Sequence, residues 1–453
     1  MIWDYYDDKI LFVTGGTGFI GTGILYRLLT QANPEHIYVL CRGGYSKAES
    51  KWKSMLPKSI AETLTRSNSV TVLDGELGDT ATMSLEDETL QMLKRRVHIF
   101  IHAACSIELK NSLRELSYTV IAPTLCLANY ALKFPNLEKF VFISSAYVNA
   151  HLWKTSESSD VEVEERVYSL DRRGEDPYES APEIWREVQK NGTSHEFETH
   201  DFPWPYAYAK HLAERLVLQK ASEKGALDKI LIIRPSVVGP AEEFPYHGFT
   251  TSYSTPSTAC AAAYALHPGR KIILATRCDQ PDQNATIDEV PVDVVVDRLL
   301  LHTAAGTSGC VHAVSGKKRR LRLEDWWNAF KNERRLPWNV KPIWTNEDWH
   351  SSNLHQMARN FKIIGTSFAF AEDKTDQVVE ALSSDELEHL KLYTDRSRPY
   401  HHSLIHRRHH IHHLAKEMIK KNKMPVPLFM TGLFCKKGKP PHHHLPQSQK
   451  FVV

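Results

Sequence analysis

Ser145, Tyr206 and Lys210 are the residues through which this sequence can do chemistry. Tyr206 and Lys210 stand four apart in Tyr206-Ala207-Tyr208-Ala209-Lys210, ahead of Leu212, Ala213, Leu216 and Val217. In a helix that spacing puts phenol and ammonium on one face, one turn apart. A cation there lowers the phenol's pKa and can hold a nicotinamide ribose. The phenol can then pass a proton to or from a substrate oxygen while hydride moves. Ser145, in Ser144-Ser145-Ala146-Tyr147, can donate to the same oxygen and stabilise its developing charge. A tyrosine four before a lysine is common by chance. This pair stands out because it follows a strand that ends in Ser-Ser.

Those groups need a scaffold and a cofactor seat. Ile10-Leu11-Phe12-Val13 reads as a buried parallel strand ending in Thr14. Gly15, Gly18 and Gly21 follow at intervals of three, and Ile20, Ile24, Leu25 and Leu28 then mark a helix face. Glycines so placed allow a tight turn, close approach of a pyrophosphate and close helix packing. The helix N-terminus adds unpaired N–H groups. Thr14, Gly15, Thr17, Gly18, Phe19, Ile20 and Gly21 are therefore expected to bind a dinucleotide.

Further strands are expected at 36–42, 70–73, 97–101, 139–143 and 230–234, with a helix over 113–132 between two of them. This alternation describes an α/β fold with a doubly wound parallel sheet, whose ligands bind beyond the carboxyl ends of the strands. Arg42, Glu76, Leu77, Ala103 and Ser145 fall at such ends. Arg42 stands where an NAD-binding chain usually carries an acid, and an arginine suits a 2′-phosphate, which favours NADPH. His102 is read as structural.

The chain has 453 residues, enough for a large core and more than one unit. Net charge is +2, which gives no electrostatic case for nucleic acid. Seven scattered cysteines without a C-x-x-C pair argue against a disulfide framework or zinc ribbon and suit a reducing, cytoplasmic setting. No signal peptide or run of ~18 apolar residues is visible. Residues 151–205 turn acidic and irregular: an excursion that is either a lid or a solvated insertion. The tail carries His-His-Ser-Leu-Ile-His-Arg-Arg-His-His from 401. Consecutive histidines on a helix diverge, so no metal site is expected. Leu404, Ile411, Leu414 and Met418 have helical spacing among arginines and lysines. This suits either a peripheral membrane helix within 401–434, on an internal membrane, or a helix docked on the main domain. Residues 435–453 are expected to be disordered.

Eight motifs resemble the extended short-chain dehydrogenase/reductase superfamily, and within it the fatty acyl-CoA reductases and thioester-reductase domains. They are TGGTGFIG at Thr14, YVLCR at Tyr38, IHAACSIEL at Ile101, FVFISSAYVN at Phe140, VEERVY at Val163, YAYAK at Tyr206, IIRPSVV at Ile232 and VPVDVVV at Val290. VEERVY and VPVD point to the acyl-CoA reductases. The resemblance covers about residues 8–315 and continues faintly from Ser367. It implies a Rossmann reductase domain over 1–318 and a smaller, mainly helical region over 319–434. It also implies NADPH, the triad Ser145, Tyr206 and Lys210, and a long-chain acyl-CoA or carrier-bound acyl thioester as substrate. That substrate would be reduced to an aldehyde and onward to a primary alcohol, with a hemithioacetal losing thiol after the first hydride. Many relatives carry asparagine near Val120 and glycine near Pro123, so this chain departs there. The alternatives are a sterol or sugar-nucleotide dehydrogenase or epimerase on the same fold, and a non-catalytic NADPH-binding scaffold.

Overall fold

The computed structural model describes residues 2–438 except 107, 110, 155, 157–159, 171–176, 252–253, 277, 279, 349–350, 355–357, 359–365 and 422–430. At its centre is a seven-stranded parallel sheet ordered β12-β7-β5-β4-β1-β2-β3. The strands are β1 (Ile10–Thr14), β2 (His36–Cys41), β3 (Val70–Asp74), β4 (Ile99–His102), β5 (Lys139–Ile143), β7 (Ile230–Pro235) and β12 (Gly309–Ala313). Every residue of β1, β5 and β7 is buried. Such continuous apolar runs fit only a sheet covered on both faces. Alternation along each strand divides the two cores. Leu11, Val13, Ile101 and Val141 pack with the helices Phe19–Gln31 and Val292–Ala304. Phe12, Phe100, Phe140 and Ile232 face the opposite layer with Ala213 and Val217 of the helix Pro205–Glu223. The chain leaves β3 at the edge and re-enters as β4 beside β1, which opens a crevice at their carboxyl ends.

The expected helix over 113–132 is interrupted. Leu113–Leu116 starts with a capping box between Ser112 and Glu115, Ser117–Ile121 is a π turn, and Ala122–Ala131 resumes the α-helix. Pro123 accounts for the break, because it lacks a donor and its ring clashes with the carbonyl one turn back. Both departures from the family pattern, Val120 and Pro123, sit at this turn.

Smaller sheets tie the flanks to the core. β6 (Asp160–Val163) pairs with β15 (Ser367–Phe370), and β8 (Val237–Gly239) pairs with β11 (Glu289–Pro291). β9 (Lys271–Ala275) pairs with β14 (Lys341–Thr345), and β10 (Thr286–Ile287) pairs with β13 (Leu321–Arg322). Three of these pairs join a strand before residue 318 to one after it, so the segments divided there are interleaved. Within 151–205, Ala181, Val188, Phe202 and Trp204 pack against Tyr208 and Leu212, which anchors that excursion on the Tyr206 helix.

The tail helices His401–His406 and Arg408–Lys421 bury Leu404, Ile411, Leu414 and Ala415 against Cys260, Ala261, Trp326 and Phe330. Most of the apolar stripe considered for a membrane surface is thus spent inside the protein, as a docked helix. Arg407 locks it there, donating to Ser257, Thr258 and the Tyr400 hydroxyl. Among the described residues no cluster could hold a metal, and no helix is long and apolar enough to cross a membrane. Cys435 departs from the expected disorder: it is buried and bridges Arg334. Lys436 is placed too, its amide donating to the Glu333 carbonyl at 3.0 Å, and residues from 439 onward lie outside the described residues.

Candidate active site

Tyr206 opens the helix Pro205–Glu223, one residue after a proline at the first helical position, where a missing N–H costs nothing. Lys210 follows one turn later, buried, and its Nζ donates to the carbonyl of Ile143 at 2.8 Å. The same ammonium lies 4.5 Å from the centre of the Phe142 ring. Ile143 ends β5, and Ser145 stands two residues beyond it. The hydrogen bond therefore ties the Tyr206 helix to the strand end that carries the serine. Ser145 Oγ accepts from the Tyr147 amide at 3.2 Å, which leaves its own hydrogen for a substrate oxygen.

Tyr206 is half-buried, packed against the core that holds Leu116, Val120 and Leu212, and is hydrogen-bonded to the Cys105 thiol. Burial pushes its phenol well above the usual value, and the Cys105 sulfur adds to the rise. This corrects the expectation that Lys210 would lower it, because desolvation of the phenolate dominates. The resting Tyr206 is therefore protonated. Tyr208, two residues on, faces elsewhere, bonded to Ser194 and Glu196 at 2.8 Å each.

The glycine turn is shaped as a cradle. Gly15 has φ +76°, and a Cβ there would lie 2.5 Å from the Ala104 nitrogen. A Cβ on Gly21 would lie 2.1 Å from the Gly15 carbonyl oxygen. The turn therefore presses on the end of β4, where Ala103 donates to the Thr14 carbonyl at 3.1 Å. The helix Phe19–Gln31 has no side-chain cap, so the amides of Phe19, Ile20 and Gly21 remain for a phosphate. Phe19 is buried against Phe249, and Ile20 is half-buried. These residues fit a dinucleotide.

Around the cradle, Arg42 and Glu76 meet in an exposed ion pair of 3.0 Å, at 79% and 49% exposure. Leu77 turns away and is half-buried among the apolar residues under β3. Lys51 was not anticipated. Its Nζ reaches Thr17 Oγ1 at 3.3 Å, and the adjacent Trp52 donates to the Gly16 carbonyl at 3.2 Å. Their helix, Gly44–Met55, carries no motif that would single them out. His102 is structural, held between Thr14 and Thr124, and burial lowers its pKa to about 3.

The family model described as "Male sterility protein", an NAD-binding family, matches residues 13–299. The chain belongs to this family. It is similar to fatty acyl-CoA reductase 1 of Xenopus laevis, 30% identical over 314 residues, covering 68% of this chain and 56% of that one. It is also similar to fatty acyl-CoA reductase 1 of Rattus norvegicus, 27% identical over 371 residues, covering 79% and 64%. The chain spans little more than half the length of the first curated relatives it matches. Among solved structures it is similar to the terminal R domain of the myxalamid pathway. The TM-score is 0.59 at 14% identity, with 93% of each chain covered. That likeness shows the fold. The matched family is an NAD-binding one, which supports a nicotinamide cofactor for this chain.

The motifs VEERVY and IIRPSVV, quoted from sequence without a role, prove to be supports. Glu165 accepts from the amides of His312 and Lys374, at 2.7 and 2.8 Å. Arg234 pairs with Glu214 of the Tyr206 helix and donates to the Arg166 carbonyl. Asp293 of the VPVDVVV motif accepts from the amides of Glu242 and Glu243. Burial raises its pKa to about 7.

Proposed function

We propose that the chain reduces a fatty acyl thioester with NADPH, first to the aldehyde and then to the primary alcohol. One observation carries the reading: a protonated phenol, Tyr206, one turn from an ammonium, Lys210, that is fixed to the strand end bearing Ser145. When bound, the cofactor supplies hydride. Thr14 to Gly21 would hold its pyrophosphate, Lys210 its nicotinamide ribose, and Arg42 with Lys51 a 2′-phosphate. Ser145 and Tyr206 would donate to the substrate carbonyl oxygen, and Tyr206 would give it a proton as negative charge develops. Loss of thiol from the hemithioacetal frees an aldehyde, which the same two donors can polarise again. A long acyl chain buries many methylenes at ~0.8 kcal/mol each, which favours its retention for the second reduction. The acyl thioester is supported by the relatives' names and by VEERVY and VPVD.

The test is to incubate the protein with NADPH and a panel of acyl-CoAs and to identify products by mass. The expected product is primary alcohol, with two hydrides consumed per acyl chain. Stoichiometric capture of aldehyde by a hydrazine, with one hydride used, would show that the reaction stops at the first reduction. An absence of any acyl reduction would refute the reading.

A further inference from the structure

We propose that the cavity walled by residues 318–332 and 396–401 binds the phosphorylated nucleotide end of a coenzyme A thioester; this rests on the acyl-thioester reading above. The cavity holds about 550 Å³, within the ~300–1,000 Å³ of small-molecule sites. Lys318, Arg319, Arg320, Arg322, Arg396 and Arg398 line it, against the single carboxylate of Asp325. In a chain whose net charge is only +2, this is a concentrated positive field.

The cations differ in what already engages them. Arg322 is matched by Asp325 and Arg320 by Asp160, all at 2.9 to 3.1 Å. Arg396 is committed to the carbonyls of Arg319 and Glu289, at 2.9 and 2.8 Å, and so braces the wall. Arg319 lies over the Tyr393 ring at 4.2 Å. Among the described residues, Lys318 and Arg398 are exposed and make no ion pair. A concavity with braced arginines and two cations outside any ion pair is suited to several phosphate charges at once.

Coenzyme A has that demand at one end only. Its 3′-phosphate and diphosphate are clustered, and the thioester lies at the far end of an extended arm. The cavity is linked to the candidate site through a chain of contacts. Arg320 donates to Asp160 of β6 and to the Phe368 carbonyl of β15, both at 3.1 Å. The Phe368 ring meets Tyr147 edge-on at 5.7 Å, and Tyr147 is two residues from Ser145. The cationic wall is therefore joined by direct contacts to the strand end that carries the serine. Arg42 and Lys51, by contrast, lie with β2 and the glycine turn on the cofactor's side.

The experiment uses the full chain and a double variant, Lys318→Glu with Arg398→Glu, at exposed positions. Adenosine 3′,5′-bisphosphate is titrated by calorimetry with NADPH already bound. Turnover is then compared for an acyl-CoA and for the same acyl group on pantetheine, which lacks the phosphates. The double variant should bind the bisphosphate about tenfold more weakly or worse, and the kcat/KM advantage of acyl-CoA over acyl-pantetheine should fall by a similar factor. Equal bisphosphate binding by both proteins would overturn the proposal, as would an unchanged acyl-CoA advantage. So would equal competition by inorganic phosphate, which would mark a general anion site. If the bisphosphate binds and the variant loses it while no acyl thioester is reduced, the catalytic reading fails and the nucleotide site stands. Should the charge reversal unfold the chain, Lys318→Gln with Arg398→Gln gives the same comparison.

Discussion

Glu214 and Arg234 form a wholly buried ion pair between the Tyr206 helix and β7, with Oε1 to Nε at 3.0 Å and Oε2 to the guanidinium at 2.5 Å. Glu214 is one turn beyond Lys210 on the same helix, so the pair fixes how that helix is rotated over the sheet. Glu214→Ala would leave a guanidinium buried without its partner. The expected loss is about 3–5 kcal/mol of stability, read by denaturant titration. Turnover should fall with it, because the rotation of Tyr206 and Lys210 is no longer set. Unchanged stability would mean that the Arg166 carbonyl and water suffice for Arg234.

Tyr206→Phe removes a single hydroxyl from the helix start. Turnover should fall about 10²–10⁴-fold, the range for a positioned proton donor, with NADPH affinity retained. Tyr208→Phe is the control, since its hydroxyl serves Ser194 and Glu196. It should cost about 1–3 kcal/mol of stability and little turnover. The reverse pattern would move the proton donor to Tyr208.

Lys51 reaches Thr17 of the glycine turn, and Arg42 stands just beyond the end of β2, paired with Glu76. Arg42→Ala should weaken NADPH by about tenfold and NADH hardly at all. Because Arg42 is exposed and shared with Glu76, the effect should shrink as salt is raised. Equal losses for both cofactors would remove the 2′-phosphate role.

His102, His151, His302 and His312 are buried, and burial lowers each pKa to about 3 from 6.5. Each stays neutral in the folded chain and takes a proton on unfolding below pH 6.5. Their stability contribution is complete above that pH and is lost as pH falls from 6.5 towards 3. Each adds a slope of about 1.4 kcal/mol per pH unit. His302→Gln can still pair with Thr307 and Thr375, which its imidazole now bonds at 3.0 Å each. It should reduce the slope of stability against pH by about that one contribution. An identical slope would show that His302 titrates normally.

Much of the sheet was legible because its strands are short apolar runs set between turn signals, as in Ile10–Thr14 and Lys139–Ile143. The glycine turn was legible for the same reason: only glycine tolerates the φ of Gly15 and the contact at Gly21. Lys51 and Cys105 were not legible. Lys51 lies in no motif and reaches the glycine turn from the helix after β2, and Cys105 lies in IHAACSIEL with nothing in that motif to mark a contact with Tyr206. The tail left two readings open because an apolar stripe on a basic helix looks the same whether it meets lipid or protein.

Residue order by itself determined the parallel α/β pattern, the cradle and the four-residue spacing of Tyr206 and Lys210, since all three depend on local backbone geometry and period. Tertiary structure decided the rest. It set Lys210 on the Ile143 carbonyl and half-buried the phenol beside Cys105. It spent Arg234, Glu165 and Asp293 as internal supports and gathered arginines from 319–322 and 396–398 around one cavity. These outcomes turn on desolvation and on contacts between residues far apart in the chain, and neither quantity exists until the chain has closed on itself.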